Sequence, residues 1–167
     1  MISEMDSQFF ISCPVHFENE LKAELLEVWP FLLEKDGRPH AFPLNIVMED
    51  KGGILIECPL HLGLQLNFFL KTAHRILLRW KSKKIKDFQP LVHWLKELKP
   101  ETVIGTKKFR LKVEASKSRL NNEKRIAQVF HEVFEIVEDE TETLLAVRVF
   151  DDLFTLSWDT SGEHLHR

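Results

Sequence analysis

"KFRLKVEASKSRLNNEKRIAQVF", residues 108–130, changes its period halfway along, and that change sets how the rest of the chain is read. Through 108–113 apolar and basic residues alternate strictly. Phe109, Leu111 and Val113 therefore face one way and Lys108, Arg110 and Lys112 the other, as neighbours on a strand do. Farther on, Ile126, Val129, Phe130 and Val133 fall at the spacing of one helical face. Between the two periods lies the polar loop "SKSRLN". Asn121 or Asn122 is the expected N-cap, and Glu123 an acid of the first turn, where the helix dipole favours negative charge. Strand, loop and helix in succession predict a mixed, α+β chain.

The same succession runs outward. Upstream, "QFFISC" reads as a strand closed by Pro14; Phe17, Leu21, Leu25 and Val28 then recur at helical spacing, with Glu18, Glu20, Lys22, Glu24 and Glu27 on the other face. "LNIVMED" and "GILIECP" flank Lys51 and Gly52 as a hairpin would, and "LHLGLQLNFFLKTA" predicts a second helix. Downstream of residue 70 the pattern repeats. "HRILLRWKSKKIK" is extended, and "FQPLVHWLKELKP" is helical with Phe88, Leu91, Leu95 and Leu98 on one side. "TLLAVRVF", Asp151-Asp152 and "LFTLSWD" make a closing hairpin. The expected organisation is two small domains, 1–70 and 71–167.

Charge is distributed unevenly along this plan. The whole chain has a formal net charge of −3, yet residues 1–70 are net −7, 71–128 net +12 and 129–167 net −8. Such asymmetry is the footprint of a surface for a polyanion, with acidic flanks limiting where the polyanion can lie. Lys108, Arg110 and Lys112 sit on the strand, Lys117, Ser118 and Arg119 at the mouth of the helix, and Lys124 and Arg125 in its first turn. Free N–H groups at a helix mouth, joined by Lys, Arg and Ser side chains, form a phosphate cradle. A second run, "RWKSKKIK", extends the groove with Arg79, Lys81, Lys83, Lys84 and Lys86. Trp80 could stack on a base, but its alternation with Ile76 and Leu78 favours the core. The competing account is a solvated face that keeps the protein soluble; the size of the excess and its coincidence with a helix mouth weigh against it.

Signatures of catalysis are missing. There is no G-x-G-x-x-G, P-loop or G-x-S-x-G. His93 and His131 lie in helices without an evident partner, and the eight His are scattered except His164 and His166, so neither metal nor cofactor is expected. "EDETE", 138–142, reads as a solvated turn. Cys13 and Cys58 lie in apolar runs outside any C-x-x-C pair, and buried reduced thiols are expected. "FFISCPV" is too short, and too closely preceded by acids, for a signal sequence, and no stretch approaches the ~20 apolar residues of a membrane span. A cytoplasmic protein without membrane contact is expected.

Three segments, "LKTAHRILLRW", "SKSRLNNEKRIAQVFHEVF" and above all "TLSWDTSGEHLHR", resemble the N-terminal region of bacterial THUMP-containing RNA guanine-N2 methyltransferases, a group often labelled adenine-specific DNA methylases. The resemblance implies an N-terminal ferredoxin-like domain followed by a THUMP α/β domain. It carries Lys117, Ser118 and Arg119 onto the family's RNA-facing loop, and Arg75 onto a family Arg. In that family "SG…LH(R)RGYR" marks the passage to the catalytic domain, and this sequence stops at Arg167, inside that run. The S-adenosylmethionine site and the N-P-P-Y-like motif of the family are therefore not expected within these residues. The expectation is a piece of a longer enzyme, with a separate RNA-binding protein as the alternative. Either way the chain would dock RNA, large-subunit rRNA ahead of tRNA, for a methyltransferase domain in cis or in trans. The rival function is a protein-interaction module that holds an acidic partner or a catalytic subunit.

Overall fold

The computed structural model describes residues 6–39 and 42–161. They form two compact units, one of residues 6–79 with Thr160 and Ser161, the other of Trp80–Asp159. The boundary read from the sequence, between 70 and 71, falls in the loop ahead of the strand that the units share.

In the first unit, β1 (Asp6–Ser12) is followed by α1 (Glu18–Lys35), the hairpin of β2 (Asn45–Asp50) and β3 (Gly53–Pro59), and α2 (Leu60–Gln65). The unit closes with the start of β4 (Arg75–Lys84). The strand order is β2-β3-β1-β4, with β1 antiparallel to both neighbours. Phe9 and Ile11 point from β1 into a core completed by Leu21, Leu25, Trp29, Leu32 and Leu33 of α1. Phe17, expected on that helical face, is instead the residue before the helix and half exposed. Gly52 closes the hairpin at φ +87°, where any side chain is strained. Cys13 and Cys58 are buried free thiols, and desolvation pushes Cys58 up to about 12, so it stays protonated.

The helix expected over 60–73 is shorter than its sequence suggests. After α2 the chain tightens into a 3-10 turn, Leu66–Phe68, and leaves helical geometry. Two side chains account for this. Asn67 Nδ2 donates back to the Leu64 carbonyl at 3.1 Å, taking an acceptor the helix would have used. The Glu24 carboxylate then accepts from the backbone N–H groups of Lys71 and Thr72, which holds the chain in a loop. Near the other end, Thr160 and Ser161 are stitched to Ile76: the Thr160 N–H donates to the Ile76 carbonyl at 3.0 Å, and the Ile76 N–H to Ser161 Oγ at 2.8 Å. The rest of the terminal motif, Gly162–Arg167, lies outside the described residues.

The second unit continues from β4 through α3 (Phe88–Lys96), a short α4 (Glu101–Ile104), β5 (Lys108–Ser116), α5 (Glu123–Val133), a two-residue β6 (Glu135–Ile136), β7 (Leu144–Phe150) and β8 (Leu153–Asp159). Its strand order is β4-β8-β7-β5-β6. β5 and β7 are parallel and need a crossover, which α5 supplies; β7 and β8 are an antiparallel hairpin. Asp151 and Asp152 close that hairpin at φ +51° and +64°, the left-handed pair that matches strand twist. The core joins Leu91, Trp94 and Leu95 of α3 with Ile126, Val129 and Phe130 of α5 and the alternate residues Leu145, Val147 and Val149 of β7. Phe109 meets Trp158 edge-on at 5.3 Å, and Trp80, half buried, lies 5.1 Å from Trp158. The resulting architecture is α+β.

Candidate nucleic-acid interface

One end of the second unit's sheet gathers chain segments that are distant in sequence. Ser116 ends β5 opposite Phe150, and Phe150 pairs with Leu153 across the hairpin. The Ile85 N–H donates to the Asp152 carbonyl at 2.8 Å, which brings the end of the "KSKKIK" run to the same place. The loop 117–122 opens α5 here. Asn122 is the N-cap, its Oδ1 accepting from the Arg125 N–H at 3.1 Å, and the Glu123 carboxylate reaches back to the Ala115 N–H.

Asp152 organises this loop. Its Oδ1 accepts from Ser118 Oγ and from the Arg119 N–H, each at 2.9 Å, while Ser118 Oγ accepts from the Leu120 N–H at 3.1 Å. The Arg119 N–H, the Ser118 hydroxyl and then the charges of Lys86 and Lys84 hold the Asp152 carboxyl below its usual range. Ser118, read from the sequence as a phosphate donor, is thus engaged in shaping the loop. Lys117 stands at φ +48°, an uncommon conformation for a residue with a Cβ, and its side chain and that of Arg119 are exposed. Lys84 and Lys86 are exposed beside them.

The remaining cations lie elsewhere. Lys108 begins β5 beside Glu135 of β6, eight steps from Ser116, or about 26 Å at a strand's rise per residue. Arg110 Nε donates to the Glu142 carbonyl at 2.9 Å. Lys112 pairs with Glu114 at 3.4 Å, an exposed contact of small worth. Trp80 packs toward Trp158, so Lys81 and Lys83 alternate onto the opposite, exposed side of β4. Lys124 and Arg125 line a groove of about 750 Å³ between α3 and α5, where the Arg125 guanidinium lies 4.4 Å from the centre of the Phe88 ring. The eleven sequence-read residues therefore divide among a loop end, a far end, a strand face and a helix groove.

Two residues on the loop end went unremarked in the sequence. Arg148 and Phe150 are exposed on β7, alternating with buried Val147 and Val149, and lie in the segment that is acidic overall. Lys117 Nζ is 5.5 Å and the Arg148 guanidinium 5.9 Å from the centre of the Phe150 ring. Strict alternation in "AVRVF" was the signal that could have found them. Among the described residues, no group of three or more His, Cys, Asp or Glu is placed to hold a metal, and no helix is long and apolar enough to cross a membrane.

No family model matches the chain, and no curated protein matches it. Solved structures do share its fold. One is a predicted N6-adenine-specific DNA methylase from Listeria monocytogenes, at TM-score 0.70 and 16% identity over 92% of this chain and 40% of that one. TrmN from Thermus thermophilus follows at 0.56 and 14%, over 92% of this chain and 45% of that one. A 4-thiouridine synthetase in complex with RNA and ATP is similar at 0.52 and 8%, over 93% of this chain and 41% of that one. The chain thus spans less than half the length of each of these proteins. At such identities the likeness is one of fold alone.

Proposed function

We propose that this chain is a non-catalytic module that docks structured RNA, large-subunit rRNA ahead of tRNA, for a methyltransferase domain in cis or in trans. The observation that carries the reading is the convergence of Lys84, Lys86, Lys117 and Arg119 on one loop that opens a helix. Lys81, Lys83, Lys112, Lys124 and Arg125 flank that cluster, while Lys108 and Arg110 would serve a more distant part of the RNA. Ser118 acts through the loop's shape. Each cation that neutralises a phosphate releases counterions, so affinity falls steeply with salt. Selectivity comes from RNA shape and unpaired features. The methyltransferase domain would supply the S-adenosylmethionine chemistry; the residues here bind and orient.

The test is fluorescence anisotropy of the chain against a labelled large-subunit rRNA hairpin and a tRNA, titrated across salt, with Lys117→Ala/Arg119→Ala alongside. Salt-sensitive binding that the variant loses, and that is tighter for the rRNA hairpin, is the expected result. Affinity that stays flat between low and moderate salt would sink the mechanism.

The protein-docking reading has an observation of its own. Leu60, Leu64 and Phe68, the last 75% exposed, follow one another at four-residue spacing along α2 and the 3-10 turn. Beside them Asn67 Nδ2 donates to Thr160 Oγ1 at 2.9 Å. A catalytic domain could cover this stripe. Phe68→Ser that weakens association with a methyltransferase subunit, and leaves RNA affinity alone, would favour that role for the first unit.

A further inference from the structure

Resting on the RNA-docking reading, we propose that Phe150 is a stacking platform for one unpaired base, with Lys117 and Arg148 receiving the phosphates on either side. Residues that alternate toward the core on β7, Leu145, Val147 and Val149, are buried. The outward positions of a half-buried strand ordinarily carry polar side chains, and Arg148 does, but Phe150 leaves 43% of an aromatic surface in solvent. Its cross-strand partner Leu153 is equally exposed, so the two form a short apolar shelf. On the other side the partner is Ser116, too small to cover the ring.

The groups around this shelf decide what it takes. Lys117 and Arg148 hold their charges 5.5 and 5.9 Å from the ring centre, and two residues beyond Phe150 Asp152 accepts from the Arg119 N–H and its carbonyl from the Ile85 N–H, between Lys84 and Lys86. An apolar partner protein would have to desolvate these cations; a nucleotide has an aromatic face for the ring and an anion for each charge. An exposed cation–π contact is weaker than base–aromatic stacking, so an arriving base displaces the cation, which then turns to the phosphate. Bases within a duplex are already stacked and show only their edges, so the occupant is a nucleotide from a loop, bulge or single-stranded end. Stacking is tolerant of base identity, and the platform therefore reads whether a base is unpaired rather than which base it is. Asp151 at the hairpin tip is the acid that opposes this use, and Asp152 is already engaged by Ser118 and Arg119.

Two RNA hairpins separate the idea from its parent. One is blunt; the other has the same stem and a short single-stranded 3′ overhang carrying 2-aminopurine. Wild type should prefer the overhang hairpin and quench its fluorescence. Phe150→Ala should lose about tenfold in affinity for the overhang hairpin only, and Phe150→Trp should keep both preference and quenching. Circular dichroism of each variant guards against a folding defect, and the Trp variant keeps the test decisive should the Ala variant fold poorly. If wild type binds both hairpins equally, or if Phe150→Ala weakens both alike, the platform is wrong while RNA docking stands. If wild type binds neither, RNA docking falls and takes the platform with it. Unchanged RNA affinity with lost binding to a methyltransferase subunit would overturn the platform in favour of a protein contact.

Discussion

The two ends of β5 carry the same kind of side chain and offer a polyanion different things. At the start, Lys108 pairs with Glu135 of the neighbouring strand, and Arg110 donates to the Glu142 carbonyl, while the Thr141 N–H and hydroxyl, with a smaller contribution from Arg110, hold the Asp139 carboxyl below its usual range. At the finish, Lys117 and Arg119 leave their cationic groups in solvent, because the backbone and Ser118 satisfy the local acid, Asp152. Cation density in a sequence is therefore not cation availability. What separates the ends is whether a cationic group is engaged by a local oxygen, as Arg110 is by the Glu142 carbonyl, or left exposed, as those of Lys117 and Arg119 are.

The largest test of this contrast exchanges the two pairs. Lys117→Ala/Arg119→Ala should weaken binding to an rRNA hairpin by about tenfold and lower the salt slope by about two. Lys108→Ala/Arg110→Ala should change affinity by less than about threefold in the same anisotropy titration. Equal losses would erase the distinction between the ends.

Stability should rank them the other way. Arg110→Ala removes a charged donor from the Glu142 carbonyl and should cost about 1–2 kcal/mol in urea unfolding. Arg119→Ala keeps the backbone N–H that Asp152 uses, and should stay within about 0.5 kcal/mol. Next in size is a pH effect. The Asp152 carboxyl is lowered in the folded chain, so its contribution is present above the ordinary carboxylate range and fades as pH falls through the lowered value. In acid titrations followed by circular dichroism, Asp152→Asn should reduce stability at neutral pH, with the gap to wild type closing at acid pH. The smallest expected change is a gain. Asp151→Asn keeps a residue that tolerates positive φ and removes an acid from the loop end, which should raise RNA affinity by about twofold at low salt and less at high salt.

Much of this was legible. The strict alternation of 108–113 placed Phe109 inward and Lys108 and Lys112 outward, though Arg110 is only part-exposed, and "NNE" before an apolar helical run narrowed the cap to Asn121 or Asn122, of which Asn122 serves, because capping is a local bond. The division of the cations was legible in part: strand rise alone separates Lys108 from Lys117. What the sequence hid is non-local. Asp152 lies 34 residues from Ser118, and nothing in a two-residue acidic turn announces that its carboxylate shapes a distant loop. The early end of α2 depends likewise on Glu24, 47 residues before Lys71. Arg148 and Phe150 were obscured for another reason: averaging charge over 129–167 buried one basic and one aromatic residue in an acidic total.

Thr160 and Ser161 rejoin the first unit after Trp80–Asp159 has formed the second, so one unit is inserted in the other. On a ribosome this orders events in time. β1, α1, the hairpin and the first half of β4 emerge early, but the bonds from Thr160 and Ser161 to Ile76 wait for about 80 further residues, roughly 4 to 16 s at ordinary elongation speeds. During that interval the nascent first unit exposes the Ile76 backbone to solvent and to chaperones, and the inserted unit is free to fold ahead of the one that began before it.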